Sequence, residues 1–219
     1  DASALAGTEV VSLDGRRVLR LADNPSVENG TLVGALSPLL DNPGKTGVFS
    51  VDVRIDDLNG ASYTVVGQSI AQAALMFRVV FDFSGTIFVV DDTPGGFSFV
   101  DTSTFFTLGE FVELRVEWSP ESIRYFYGGE QFFEETSDAF ARAIDQVVLA
   151  SDAWQDAGTP LAPGRPVAAY FDDVTLAVPG PSPACAGALG IAFVARRRRV
   201  LYAGRHAGAP AGRRFVRDA

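Results

Sequence analysis

Cysteine, histidine and methionine are almost missing from this chain of 219 residues, and long apolar runs and basic charge are scarce. Cys185 is the single cysteine, so no intramolecular disulfide and no thiolate metal cluster can form, and stability has to come from packing. The single histidine, His206, sits in a C-terminal stretch of Arg, Ala and Gly. That placement removes Ser-His and Cys-His catalytic pairs and most zinc sites from the body of the chain. Gly95-Gly96 is followed neither by a glycine-rich helix start nor by Lys-Ser/Thr, so no phosphate-cradling loop is indicated. Of the net charge of −9, the residues from Arg196 onward hold eight arginines and one aspartate, a local +7 that leaves −16 for the rest. So acidic a body is poorly suited to a phosphate backbone, which argues against nucleic acid as a ligand. The opening residues show no basic-then-apolar leader, and an export signal is expected to have been removed or to lie ahead of them.

What is present is period-two alternation. Phe49, Val51, Val53 and Ile55 alternate with Ser50, Asp52 and Arg54, and Val112, Leu114, Val116 and Trp118 alternate with Glu113, Arg115 and Glu117. Phe77, Val79, Phe81 and Phe83 form a third such set. This is the pattern of strands with one buried and one wet face. Phe83-Ser-Gly-Thr86 and Tyr127-Gly-Gly-Glu130 place glycine where tight hairpins require positive φ. Further strands are expected at 9–13, 18–21, 62–69, 86–90, 97–100, 122–127, 131–134, 146–150 and 168–176. One short helix is expected between the capping residue Ser137 and Asp145. Such a chain predicts an all-β sandwich in a single domain, residues 1–177.

The succession Phe111-Val-Glu-Leu-Arg-Val-Glu-Trp118, Ile123-Arg-Tyr-Phe-Tyr-Gly-Gly129, Ile144-Asp-Gln-Val-Val-Leu149 and Tyr170-Phe-Asp-Asp-Val-Thr-Leu176 resembles the concanavalin A-like lectin/glucanase jelly roll over about residues 45–177. The resemblance implies a jelly-roll β-sandwich, with an immunoglobulin-like sandwich as the other all-β reading. It also implies a carbohydrate or matrix-glycan ligand.

Glu113-Leu-Arg-Val-Glu117 resembles the Glu-x-Asp-x-Glu strand of jelly-roll glycoside hydrolases, with Arg115 at the central Asp position. Along a strand the two Glu Cα atoms lie about 13 Å apart, whereas retaining hydrolysis uses carboxyl groups about 5–5.5 Å apart. Arg115 also favours both carboxylates as anions. The motif therefore reads first as an exposed charge ladder, and Glu113 with Glu117 is the catalytic alternative. Tyr125, Tyr127 and Phe132 on the following hairpin are the expected glycan contacts, because sugars stack on aromatic faces. Asp56, Asp57 and Asn59 read first as an Asx-type turn. Their oxygens make calcium the one cofactor alternative; Asp91-Asp92 and Asp172-Asp173 pose the same choice.

The C-terminal region has a three-part layout. In Val178-Pro179-Gly180-Pro181 and the following Ser-Pro183, the prolines Pro179, Pro181 and Pro183 break any preceding strand. Ala184 to Ala195 follow as twelve uncharged residues, which as a helix reach about 18 Å against a hydrocarbon core about 30 Å thick. Arg196, Arg197, Arg198 and Arg199 would remain on the cytoplasmic side. This order resembles the PEP-CTERM sorting signals of exported bacterial proteins, with Gly180 at the glutamate position and a basic extension, residues 200–219, expected to be disordered. The resemblance implies an exosortase-type processing enzyme and the membrane as partners, and a place in the cell envelope or outside the cell. Taken together, the sequence predicts an exported envelope or matrix protein with a non-enzymatic, carbohydrate-binding jelly roll. The alternatives are a jelly-roll glycoside hydrolase or lyase acting on extracellular polysaccharide, and a purely structural or adhesive surface protein.

Overall fold

The computed structural model describes residues 7–23, 33–40, 43–58, 61–93, 96–136, 143–152, 167–178 and 194–195. They form two seven-stranded sheets in which all paired strands run antiparallel. The first sheet has the order β1 (Gly7–Leu13), β2 (Arg16–Asp23), β13 (Val167–Ala177), β4 (Gly47–Ile55), β9 (Val112–Trp118), β10 (Ser122–Tyr127) and β11 (Glu130–Thr136). The second has the order β14 (Val194–Ala195), β3 (Val33–Leu36), β12 (Gln146–Asp152), β5 (Ser62–Ser69), β6 (Ala74–Phe81), β7 (Thr86–Thr93) and β8 (Gly96–Phe105). No helix occurs among the described residues, and the architecture is the expected jelly-roll sandwich.

Alternation builds the core. Phe49, Val51, Val53 and Ile55 of β4 point inward with Leu114, Val116 and Trp118 of β9, and they meet Tyr63, Val65, Phe77, Val79 and Phe81 of the second sheet. Phe49 and Phe77 approach across the sandwich with ring centroids 6.1 Å apart. The Trp118 indole N–H donates to the Gly44 carbonyl at 3.0 Å, so the largest ring at the end of β9 brings its polar atom to a partner. Gly47 lies against that indole, where a Cβ would collide with the ring.

Two local expectations differ from the structure, one strand was not expected, and one expected helix falls mostly outside the described residues. The strand ending at Phe83 stops at Phe81 instead, because the Asp82 carboxylate accepts the Ser84 N–H at 2.9 Å and turns the chain. Strand β3, Val-Gly-Ala-Leu, lacks polar alternation and leaves no period-two signal. The helix expected after Ser137 lies outside the described residues up to 142; Ile144 is extended and bridges Gly44. There the buried Asp145 does structural work, accepting the Ile70 and Ala71 N–H groups at 2.8 and 3.2 Å and the Ser69 hydroxyl at 3.3 Å. Within the apolar segment expected to be helical, the described residues Val194 and Ala195 are extended and pair with Leu36 and Ala35.

Candidate active site

The same alternation that fills the core sends Ser50, Asp52 and Arg54 of β4, and Glu113, Arg115 and Glu117 of β9, to the outer face of the first sheet. Register then decides which of them meet. Asp52 stands opposite Glu113 on one side and Asp172 of β13 on the other, so three carboxylates form a row across three neighbouring strands. Directly opposite residues of an antiparallel pair have Cβ atoms about 4.5–5.5 Å apart.

Strand β13 carries a bulge here. Asp172 pairs with Asp52 and Thr175 with Ser50, so Asp173 and Val174 together oppose one residue of β4. Asp173 takes φ 46°, a left-handed conformation that aspartate tolerates better than most side chains. The bulge brings a fourth carboxylate to the row. Burial raises the pKa of Asp52 above the ordinary aspartate range, and the negative charge of Asp173 raises it further. Arg16 opposes the shift, while Glu113 and Asp172 add to it. Such a carboxyl group holds its proton to higher pH than an ordinary aspartate, which is how one member of a carboxylate pair becomes an acid.

One end of the row is closed by cations on a ring. Arg16 Nη1 lies 3.4 Å from Asp172 Oδ2 and 3.7 Å from Asp52 Oδ2. Arg54 binds Asp14 at 2.8 Å and Asp56 at 2.6 Å. Both guanidinium groups lie over Phe111, 5.4 and 5.8 Å from its centroid, within cation–π range.

The two glutamates expected as a catalytic alternative have different surroundings. Glu117 is ion-paired with Arg124 at 2.8 Å and Arg115 at 3.4 Å. Arg115 itself stacks on Phe126, 4.2 Å from the ring centroid. Glu113 faces Asp52. The residues that sequence reasoning passed over are Asp52 and Arg16; alternation placed Asp52 on the wet face, but its partner across the sheet is a matter of register.

The expected glycan contacts separate as well. Tyr125 is fully buried and its hydroxyl binds Glu135 at 3.1 Å, so it can touch no ligand, a correction to the expectation. It sits mid-strand, where the inward face is wholly covered. Tyr127, at the strand end, is half-buried and accepts the Thr107 N–H at 3.3 Å; burial raises its pKa. Tyr127 and Phe132 line a cavity of about 460 Å³ beside Phe105.

Of the calcium alternative, the Asp56 carboxylate accepts from Arg54 Nε, Asp57 is exposed, and Asn59 lies outside the described residues. Among the described residues no group of three His, Cys, Asp or Glu side chains is placed to hold a metal ion. Val178 packs against the core, whereas Pro179, Gly180, Pro181 and Arg196 to Arg199 lie outside the described residues. No described helix is long and apolar enough to cross a membrane.

A two-sheet jelly roll with a row of carboxylates on one outer face defines the class of fold. Solved structures with that fold include the Bacillus licheniformis β-glucanase, 12% identical with a TM-score of 0.51 over 78% of this chain and 82% of that one. The apo Crh5 transglycosylase is 17% identical with a TM-score of 0.55 over 83% and 82%. A glycoside hydrolase family 16 endo-glucanase from Bacteroides ovatus is 10% identical with a TM-score of 0.52 over 80% and 86%. A sialidase also matches with a TM-score of 0.55, but this chain spans only 17% of its length. No protein-family model and no curated protein sequence matches. These likenesses establish the fold and correct one expectation: the neighbours of the jelly roll are named as enzymes, which overturns the non-enzymatic reading.

Proposed function

We propose that the protein is a jelly-roll glycoside hydrolase or transglycosylase acting on an extracellular polysaccharide, with Asp52 and Glu113 as its carboxyl pair. The observation that carries this reading is the cross-strand opposition of Asp52 and Glu113 together with the raised pKa of Asp52. Opposed positions on neighbouring strands suit the spacing of about 5–5.5 Å used in retaining hydrolysis. Glu113 and Glu117 on one strand do not.

In the first step Asp52 gives its proton to the glycosidic oxygen as the bond from that oxygen to the anomeric carbon breaks. The Glu113 carboxylate forms a bond to the anomeric carbon from the opposite side, leaving Asp52 ionised. In the second step Asp52 takes the proton of a water or of a sugar hydroxyl, whose oxygen displaces Glu113. Water gives hydrolysis, and a sugar hydroxyl gives transglycosylation. Arg16, bound to both Asp52 and Asp172, fixes the row from one end. The glucanases and the transglycosylase among the structural neighbours support a β-glucan as the first substrate to try.

The full chain should release reducing ends, or exchange labelled oligosaccharide, with β-1,3-glucan, mixed-linkage glucan, a β-galactan or chitin. If none of the four is turned over, or if Asp52→Asn and Glu113→Gln both keep full activity, the reading fails. The acidic body and the order Val178 to Arg199 support an envelope or extracellular location with exosortase-type processing. Deleting residues 179–219 should move the protein from the membrane to the soluble fraction; unchanged fractionation would sink that part.

A further inference from the structure

The cavity beside Tyr127 lies where both sheets end. Strands β8 and β11 are the outermost strands on the same side of the sandwich, and the cavity opens between them. Its volume, about 460 Å³, falls in the range of small-ligand sites. Tyr127 and Phe132 form its inner wall. Tyr127 is held by the Thr107 N–H and by Phe81, whose centroid is 6.1 Å from its own. Phe132 packs on Tyr125 at 6.1 Å.

The outer wall is unusual. Phe105 is 72% exposed, whereas the next residue, Phe106, is buried edge-on against Phe81. Thr104, Thr107, Glu130 and Gln131 supply the polar part of the lining, the Gln131 amide being tied to Glu134 at 3.3 Å and the Thr104 hydroxyl to the Thr102 carbonyl at 3.4 Å. An open aromatic face bordered by hydroxyl, amide and carboxylate groups matches a sugar ring, with apolar C–H groups on one side and hydroxyls at its edge. Glu130 at the border favours a neutral sugar over a uronic acid, since like charges repel.

The cavity is separate from the carboxylate row. Val112 borders the cavity while Glu113, the next residue, faces the outer side of the sheet. The Glu113 carbonyl accepts the Gly128 N–H at 3.0 Å, so the cavity-lining hairpin is tied to the strand that bears Glu113.

We infer that this edge cavity is a second carbohydrate site, which grips a neutral polysaccharide chain through Phe105 while the carboxylate row acts elsewhere on it. The inference rests on the glycan-active reading, but its readout is retention and not turnover. Affinity electrophoresis of the full chain through gels holding β-1,3-glucan, mixed-linkage glucan, β-galactan or chitin should show retardation by at least one. Phe105→Ala, a change at an exposed side chain, should weaken that retention about tenfold, about 1.4 kcal/mol. Gln131→Ala should weaken it less, and turnover of a short soluble oligosaccharide should not change with either. Asp52→Asn should lose turnover and keep retention, so failure of the catalytic reading is seen separately. The inference is overturned if wild type passes all four gels unretained or if Phe105→Ala is retained like wild type. It is also overturned if Phe105→Ala changes only the oligomeric state by gel filtration, which would make the edge a self-association surface.

Discussion

The two outer faces of this sandwich are built differently. On the first sheet, β4 alternates buried and half-buried at every position, and the wet positions carry Ser50, Asp52 and Arg54. On the second sheet, β5 is buried at seven of eight positions, and Thr64, Val66, Val80 and Val90, on strands of that sheet, are all at least nine-tenths covered. A strand buried on both sides cannot present ionisable groups to a polymer, because burying an unpaired charge is too costly. Along β5 the second face therefore offers no carboxylate to a polymer, whereas β4 of the first face carries Asp52 in the row.

The sharpest way to erase that difference is to neutralise the row. Asp52→Asn should lower kcat by about 10²- to 10⁴-fold, the usual contribution of a positioned acid or base, and Glu113→Gln, which removes the nucleophile, should abolish turnover, both measured by reducing-end release. On the structural side, Asp145→Ala strands two N–H groups of the β5–β6 turn and should cost about 2–3 kcal/mol in urea unfolding. Gly67→Ala should cost about 1–3 kcal/mol by the same measurement, since its Cβ would strike the buried Phe77 ring. Neither change should move the pH profile of activity. A pH series sharpens the comparison further. Because folding raises the Asp52 pKa, the folded state holds a proton that the unfolded chain has already lost, so stability falls as pH climbs through that window and levels off above it. Asp52→Asn should flatten this slope in melting temperature. The smallest effect is expected from Glu117→Gln: activity unchanged and a stability change of about 1 kcal/mol or less, because its ion-pair partner Arg124 is half exposed on the outer face of the sheet.

Much of the first sheet was legible in the sequence because one-sided burial writes itself as alternation. β4, β9 and β10 match their expected spans within a residue or two, and Phe49, Leu114 and Trp118 face inward as the pattern requires. The second sheet was harder: β3 has no polar partner positions, and β8 extends from Gly96 to Phe105, beyond the 97–100 expected, because Thr and Ser dilute its apolar signal. The site was half legible. Glu113 stood out through its motif, but Asp52 belongs to a strand far earlier in the chain and meets it only through register, which no local pattern encodes. Tyr125 and Tyr127 look alike in sequence; their different burial follows from position along β10, one mid-strand and one at the edge.

The extra residue in β13 has a consequence for parity. Before it, Ala169 and Phe171 point to the core; after it, Leu176 does, so odd-numbered inward positions give way to even-numbered ones. Without that phase change Asp173 would fall on the inward beat and Leu176 on the outward one. Deleting Asp173 alone would keep Thr175 opposite Ser50 and Leu176 opposite Phe49 and would set Val174 on the inward beat, so the core register would survive while the fourth carboxylate of the row is lost.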